Sequence, residues 1–176
     1  MIRRPARAAC APTQSPAMAG RGLARLAIVC ATLALACTQV QAAPSTFGPV
    51  IGSALLCRSH LDNAYFHAYL SQAFGPPYKR EGGAYWFRLE ATLWGGQVEE
   101  VMVSDDTSDL TFIAAVIDTT PEELEKSVRA AVGTAFVAAD AGLHPLRKSN
   151  TGSTIAYARD KSKIYCAKFK PQPPAR

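Results

Sequence analysis

The segment Tyr85–Trp94 limits the possible folds of this chain more than any other part of the sequence. Its residues alternate between an apolar set and a mixed set, and that period of two is typical of a half-buried antiparallel strand. Gly95-Gly96 follows directly and supplies the positive φ values of a tight hairpin turn. The return strand is then Val98–Ser104, in which the valines break strict alternation and so indicate a β-bulge.

Helices and further strands are predicted around this hairpin. A helical pattern covers residues 51–74 in two pieces, with Asp62 as the N-cap of the second piece. A second helix begins with Thr120 as N-cap and Pro121 at the first helical position, and its pattern continues to Gly142. The remaining strands are predicted at Leu110–Ile117, which is apolar on both faces and therefore central, and at Leu143–Lys148, Thr154–Arg159 and Ile164–Phe169.

These elements predict an α+β fold. The expected order is helix, three strands, helix and two or three strands, which gives one antiparallel sheet of five to six strands with two helices packed on it. The order also fits a degenerate duplication of an αβββ unit. We expect a single domain at 50–170, a linker at 43–49 and a disordered tail at 171–176, with polar turns at Lys79–Gly83 and Asp105–Asp109.

Residues 1–42 contain the three parts of a secretory signal peptide. A basic region without acidic residues is followed by the apolar run Leu26–Ala36, and Val40 and Ala42 supply the small side chains of a cleavage site. The apolar run has 11 residues, whereas a helix that spans a bilayer needs roughly 20. We therefore predict a periplasmic or secreted protein, cleaved near Ala42.

Two alternatives concern this N-terminal segment. Translation from Met18 gives a signal peptide of ordinary length and translation from Met1 gives a longer basic region, and the sequence is compatible with both. Segment 34–37 resembles a lipoprotein signal in which Cys37 is acylated, but alanine replaces the leucine usual three residues before such a cysteine. We favour cleavage at Ala42, and we expect membrane contact only if Cys37 is lipidated.

The chain without its signal peptide has no net charge. The full sequence carries a formal charge of +5, and five arginines lie in residues 1–42. Residues 43–176 hold 14 basic and 14 acidic side chains. Because a basic surface supplies most of the affinity in non-specific nucleic-acid binding, we predict no nucleic-acid partner.

Two cysteines, Cys57 and Cys166, remain after removal of the signal peptide. They lie near the two ends of one predicted domain, and in an oxidising compartment such a pair is expected to form a disulfide. The alternative is a pair of buried free thiols.

The sequence contains no known catalytic, cofactor or metal motif, and we predict no such site. His60 and His67 are seven residues apart, which on a helix places them about 10.5 Å apart along the axis, too far to share one metal ion easily. His144 is expected beside the C-terminal end of the second helix, where a cation suits the helix dipole. Five nearby acidic residues lack the order of an EF-hand loop and are expected to be solvated. They are Glu99, Glu100, Asp105, Asp106 and Asp109.

The outer side of the first strand is the candidate binding face. Trp86, Arg88, Glu90 and Trp94 lie opposite the apolar set, and tryptophan and arginine are enriched at binding hot spots. In the alternative, a loop or helix covers the indoles and makes them part of the core. We predict a non-enzymatic module that binds an envelope or secreted protein, as an inhibitor, chaperone or immunity factor. The alternative function is a small hydrolase acting on envelope polymers through carboxylates that the sequence does not single out.

Overall fold

The computed structural model describes residues 42–60 and 62–170. The predicted signal peptide up to residue 41, including Met18 and Cys37, lies outside these residues, as does the predicted tail at 171–176.

The described residues form three helices and eight strands. A π-helical turn at Gly48–Gly52 leads into the short helix α1 (Ser53–Leu55), and the longer helices are α2 (Asn63–Phe74) and α3 (Pro121–Val132). The strands are β1 (Lys79–Glu81), β2 (Ala84–Leu93), β3 (Gly96–Ser104), β4 (Leu110–Asp118), β5 (Phe136–Ala138), β6 (Arg147–Ser149), β7 (Thr154–Ala158) and β8 (Lys161–Phe169). None of the helices in this part of the chain is long and apolar enough to cross a membrane.

All eight strands belong to one antiparallel sheet with the order β1-β2-β3-β4-β8-β7-β6-β5. Strands β1–β4 form one meander and β5–β8 a second, and the two join along β4 and β8, from Leu110 opposite Phe169 to Ile117 opposite Ser162. The predicted α+β class is confirmed, but the prediction of five to six strands and two helices is too low. Each meander has four strands and follows a helix, so a repeated unit would be αββββ; its origin by duplication stays a prediction.

Two short edge strands account for part of this difference. The polar turn predicted at Lys79–Gly83 contains β1, whose three charged residues pair with β2 through the backbone without any apolar pattern. The helix predicted to reach Gly142 ends at Val132, because Gly133 takes the left-handed conformation (φ 70°) that terminates helices. The chain beyond Gly133 then forms β5 and pairs with β6.

Both long helices begin at the predicted N-caps. The Asp62 carboxylate accepts a hydrogen bond from the Tyr65 backbone N–H at 3.0 Å, and the Thr120 hydroxyl accepts one from the Glu123 N–H at 3.3 Å. Each bond satisfies one of the amides that the first turn of a helix leaves free. The Glu123 carboxylate in turn accepts a hydrogen bond from the Thr119 hydroxyl at 3.0 Å, which holds the chain entering α3.

All three helices pack on the same face of the sheet. Their buried side chains form one apolar cluster with the inward-facing residues of the strands. The helical contribution consists of Ile51, Ala54, Leu55, Phe66, Leu70, Leu124 and Val128. Phe47 lies within the predicted linker at 43–49 but is buried in the same cluster, so this segment is part of the packed structure.

A disulfide joins Cys57, two residues after α1, to Cys166 in β8. Cys166 is fully buried and lies opposite Ile113 of β4 in the sheet. The bond therefore connects the N-terminal helical segment to the junction between the two meanders. This pairing is the predicted one and is compatible with an oxidising compartment.

Candidate functional site

The face of the sheet opposite the helices carries side chains from four adjacent strands, β2, β3, β4 and β8. Successive side chains in a strand point to opposite faces, and in β8 the alternate residues Ser162, Ile164 and Cys166 are buried. The other set therefore points away from the helices. We call this side the helix-free face. Its main residues are Trp86 and Arg88 in β2, Glu100 and Met102 in β3, Phe112, Ala114 and Val116 in β4, and Lys163, Tyr165 and Phe169 in β8.

Strand pairing arranges these side chains in two rows across the sheet. The first row consists of Trp86, Met102, Ala114 and Tyr165. The second row consists of Arg88, Glu100, Val116 and Lys163. The helix-free face is therefore apolar along its first row, whereas three of the four residues in its second row are charged.

The apolar centre of this face is a second hydrophobic cluster. Met102 and Ala114 are buried there, although no helix among the described residues covers them, because four partly buried side chains pack against them. These are Trp86, Phe112, Val116 and Tyr165. Phe169, at the end of β8, is 86% exposed. Exposed apolar surface bordered by polar residues is typical of interaction sites.

Trp86 is held in one orientation by its neighbours at the sheet edge. Its indole N–H donates a hydrogen bond to the Glu81 carbonyl oxygen at 3.0 Å. The Lys79 ammonium lies 3.9 Å from the centroid of the indole ring, within cation–π range, and pairs with the Glu81 carboxylate at 3.2 Å. This hydrogen bond from Lys79 to Glu81 raises the pKa of Lys79. An indole ordered before binding loses less entropy when a partner covers it.

Charged groups border the apolar centre. The Arg88 guanidinium lies 4.6 Å from the ring centroid of Tyr78, whose hydroxyl donates a hydrogen bond to Glu100 at 2.7 Å. Burial, and then this hydrogen bond, raise the pKa of Tyr78. Lys163 is half-buried, and its burial lowers the pKa of its ammonium group. Within residues 42–60 and 62–170, neither Arg88 nor Lys163 forms an ion pair at 4.0 Å or less.

The structure separates the four residues of the predicted binding face. Trp86 and Arg88 lie on the helix-free face, and the exposed Glu90 follows them at the β-bulge between β2 and β3. Trp94 lies in the turn after β2 with φ 49°, and its ring packs on the helix side, where a Cβ atom on Gly52 would be only 3.3 Å from it. The indole of Trp94 thus belongs to the helix side of the molecule.

Most of the helix-free face was not among the predicted site residues. Sequence reasoning missed Met102, Phe112, Lys163, Tyr165 and Phe169. One signal was available, because a β4 segment that is apolar on both sides implies a second apolar face as well as a central position. No local sequence pattern indicates that β4 pairs with β8. Without that pairing, the residues of β2–β4 and those of β8 cannot be recognised as one surface.

The three histidines lie in different parts of the fold: His60 precedes α2, His67 lies within it, and His144 follows β5. His67 packs its ring against Tyr85, with centroids 4.5 Å apart, and with His60 it lines an open pocket of about 580 Å³ near the start of α2. His144 lies in the loop between β5 and β6 and packs on Tyr157, so its predicted place at the end of α3 is wrong, because α3 ends earlier. No group of three His, Cys, Asp or Glu side chains in the described ranges is placed to hold a metal ion.

Asp105 lines the same pocket and is buried, contrary to the solvated position predicted for it. Its carboxylate accepts hydrogen bonds from the Thr107 hydroxyl at 2.6 Å and the Thr107 N–H at 2.8 Å, and it pairs with Arg80. These interactions lower the pKa of Asp105 from 3.8 to about 2. Arg80 also pairs with the exposed Asp106, so one guanidinium holds both carboxylates after β3.

The low pKa of Asp105 predicts an acid-dependent stability. A carboxyl group with a lower pKa in the folded state stabilises the fold above its unfolded pKa, and that contribution is lost as the pH falls through the folded value. We expect the urea midpoint of the wild type to fall between pH 4 and pH 2, and we expect Asp105→Asn to lower the midpoint at pH 6 and flatten this fall. Asp109→Asn, an exposed change in the same turn, serves as the control. Equal slopes for both variants would contradict the prediction.

No protein family, curated protein or solved structure matches this chain. The fold and the site therefore define a class only. The chain is an α+β protein with one antiparallel sheet and helices on one face of it. A disulfide joins the N-terminal helical segment to the sheet, and the opposite face of the sheet has an apolar centre.

Proposed function

We propose that this chain is an exported, non-enzymatic binding module and that its helix-free face holds a partner protein. The observation that carries the proposal is the apolar centre of this face. An antiparallel sheet with one solvated face normally presents polar side chains there. In β4, by contrast, Phe112, Ala114 and Val116 alternate with the buried core residues Ile113 and Ala115, so the strand is apolar on both sides.

The residue types favour a protein as the partner. Aromatic residues and arginine are enriched in protein interfaces, and Trp86, Tyr165 and Arg88 lie close together on this face. Charged side chains surround the apolar centre, as in the polar rim of an interface. The surface is also a broad sheet face, whereas small-molecule sites are concave and enclose most of their ligand.

The proposed location is the periplasm or the outside of the cell. The disulfide between Cys57 and Cys166 is compatible with an oxidising compartment, and the predicted signal peptide would direct export. An inhibitor, a chaperone or an immunity factor each acts by covering part of another protein. A preformed apolar face on a disulfide-closed domain suits any of these three roles.

Capture of a partner by crosslinking tests the proposal. The full chain would be expressed with an affinity tag in its native cells, crosslinked and purified from the envelope and culture medium. We expect the wild type to capture a discrete partner that Phe169→Ser loses, because Phe169 is 86% exposed on the helix-free face. Its exposure means that this change should leave the fold intact.

Leu143→Ser is the matched control for this experiment. Leu143 is 89% exposed, in the loop between β5 and β6, so the substitution removes a similar exposed apolar side chain outside the helix-free face. The proposal requires that Leu143→Ser retain the partner. A partner retained by Phe169→Ser, or lost equally from both variants, would contradict binding through this face.

A further inference from the structure

Lys163 lies between apolar neighbours on the helix-free face. It is opposite Val116 of β4 on one side and Ala156 of β7 on the other. Tyr165 follows it on the same side of β8. Its side chain is half-buried and its pKa is lowered by that burial, which the charge of Glu100 partly offsets.

The neighbouring carboxylates are engaged elsewhere. Glu100 lies one strand beyond Val116 and accepts the hydrogen bond from the Tyr78 hydroxyl. Glu99 pairs with Lys161, and Asp118 also pairs with Lys161 at 3.7 Å. In the described part of the chain, Lys163 therefore has no carboxylate within 4.0 Å, whereas Lys161, on the same face and strand, has two.

A partner that covers the helix-free face must also cover Lys163. Taking an unpaired ammonium group fully out of water carries a large desolvation penalty, and the penalty is offset only if the partner supplies an anion in good geometry. Desolvated charge pairs near the centre of an interface are among the interactions that determine which partner binds. An entirely apolar partner would leave this cation buried and unpaired.

We propose that the partner segment carries an aspartate or glutamate side chain that pairs with Lys163, flanked by apolar side chains that pack on the partly buried Trp86, Phe112 and Tyr165. This inference rests on the proposed function, because it specifies the chemistry of the partner for the same face. The carboxylate selects the partner, and the apolar side chains supply most of the buried surface.

A random peptide library displayed on phage is the probe. The full, disulfide-bonded chain selects binders, and those that also bind Phe169→Ser are discarded, so that only peptides requiring the helix-free face remain. We expect these peptides to combine apolar residues with an aspartate or glutamate. Synthetic peptides with that carboxylate replaced by its amide should bind at least about tenfold more weakly, as expected for loss of one partner of a desolvated charge pair.

The charge requirement is then tested from the side of the protein. Lys163→Met keeps the length and apolar stem of the side chain, and it should weaken the carboxylate peptides at least about tenfold while reducing the difference from the amide peptides. Lys163→Glu should select peptides with lysine or arginine instead. Lys126→Met, an exposed change on α3, is the control and should leave binding unchanged.

The possible failures are distinguishable. If peptides depend on Phe169 but carry no carboxylate, or bind Lys163→Met as well as the wild type, the acidic partner is wrong and binding through the helix-free face stands. If no peptide depends on Phe169, the proposed function is wrong and this inference falls with it. The urea midpoint adds a separate readout, because Lys163→Met should raise it by removing a partly buried unpaired charge, and a clear decrease would show that the ammonium group of Lys163 stabilises the fold.

Discussion

Replacing Cys57 and Cys166 together with alanine is expected to lower the free energy of unfolding by about 4 kcal/mol. The two cysteines are 109 residues apart, so the disulfide restricts most of the unfolded chain. In the chain-entropy account the stabilisation grows with the length of the closed loop. Domains of this size have total stabilities of roughly 5–15 kcal/mol, so the loss would be a large fraction of the stability of this protein.

Urea unfolding followed by tryptophan fluorescence measures this effect. The double alanine variant avoids leaving a buried thiol in place of the bond, and the wild type treated with a reductant provides a second comparison. Both should unfold at a lower urea concentration than the oxidised wild type. An unchanged midpoint after reduction, or thiols that react with an alkylating agent before reduction, would show that the disulfide does not stabilise the protein.

Local signals explain which elements could be predicted from the sequence. The N-caps Asp62 and Thr120 act within one turn of chain, so the start of each long helix is encoded in a few adjacent residues. The β2–β3 hairpin is also local, although its turn lies one residue earlier than predicted: Trp94 (φ 49°) and Gly95 (φ 84°) make it, and Gly96 already belongs to β3. The bulge expected in β3 is present between Val98 and Glu100. Each of these features depends on residues close together in sequence.

The end of α3 and the short strand β5 after it were predicted wrongly because the local sequence there gives conflicting signals for where the helix ends. Leu124 and Val128 continue the apolar stripe of α3, and the alanine-rich sequence after them remains favourable for a helix. Two glycines, Gly133 and Gly142, are both suitable terminators, and the first one ends the helix. The three residues of β5 then pair with β6, and two of them, Phe136 and Val137, are of types that favour strands.

The candidate site was predicted only in part because it is built from strands distant in the sequence. Trp86 and Arg88 share a face by simple alternation, and the prediction placed them together. Trp94 follows the same period, but it lies in the turn where the strand has ended, so period-two counting does not apply to it. Tyr165 and Lys163 join the face through the pairing of β4 with β8, which depends on how the two meanders meet.

The composition of β4 connects the fold to the proposed function. A strand between two others in a two-layer protein needs one apolar face to contact the helices, and Ile113, Ala115 and Ile117 supply it. The apolar residues on its other side are not needed for that contact. Their presence costs solubility unless another surface covers them, which is the physical reason for placing the proposed partner on this side of the sheet.

Two adjacent aromatic residues of β2, Phe87 and Trp86, test which face of the sheet is the core and which is the proposed binding surface. Phe87→Ala is expected to lower the free energy of unfolding by about 3–5 kcal/mol, because Phe87 is 1% exposed and its loss leaves a cavity beneath the helices. Trp86→Ala should lower it by only about 1–2 kcal/mol, since the indole is partly exposed and packs on one side only.

Partner binding should show the opposite order for the same two variants. In the crosslinking capture, which uses no denaturant, Phe87→Ala should capture the partner as the wild type does, and Trp86→Ala should lose it, because only Trp86 lies on the helix-free face. Urea unfolding of the purified variants gives the stability, and the crosslinking capture of the same two variants gives the binding. A Trp86→Ala variant that is as unstable as Phe87→Ala would place the indole in a core covered on both sides, and a Phe87→Ala variant that is folded but no longer binds would place the partner on the helix side of the sheet.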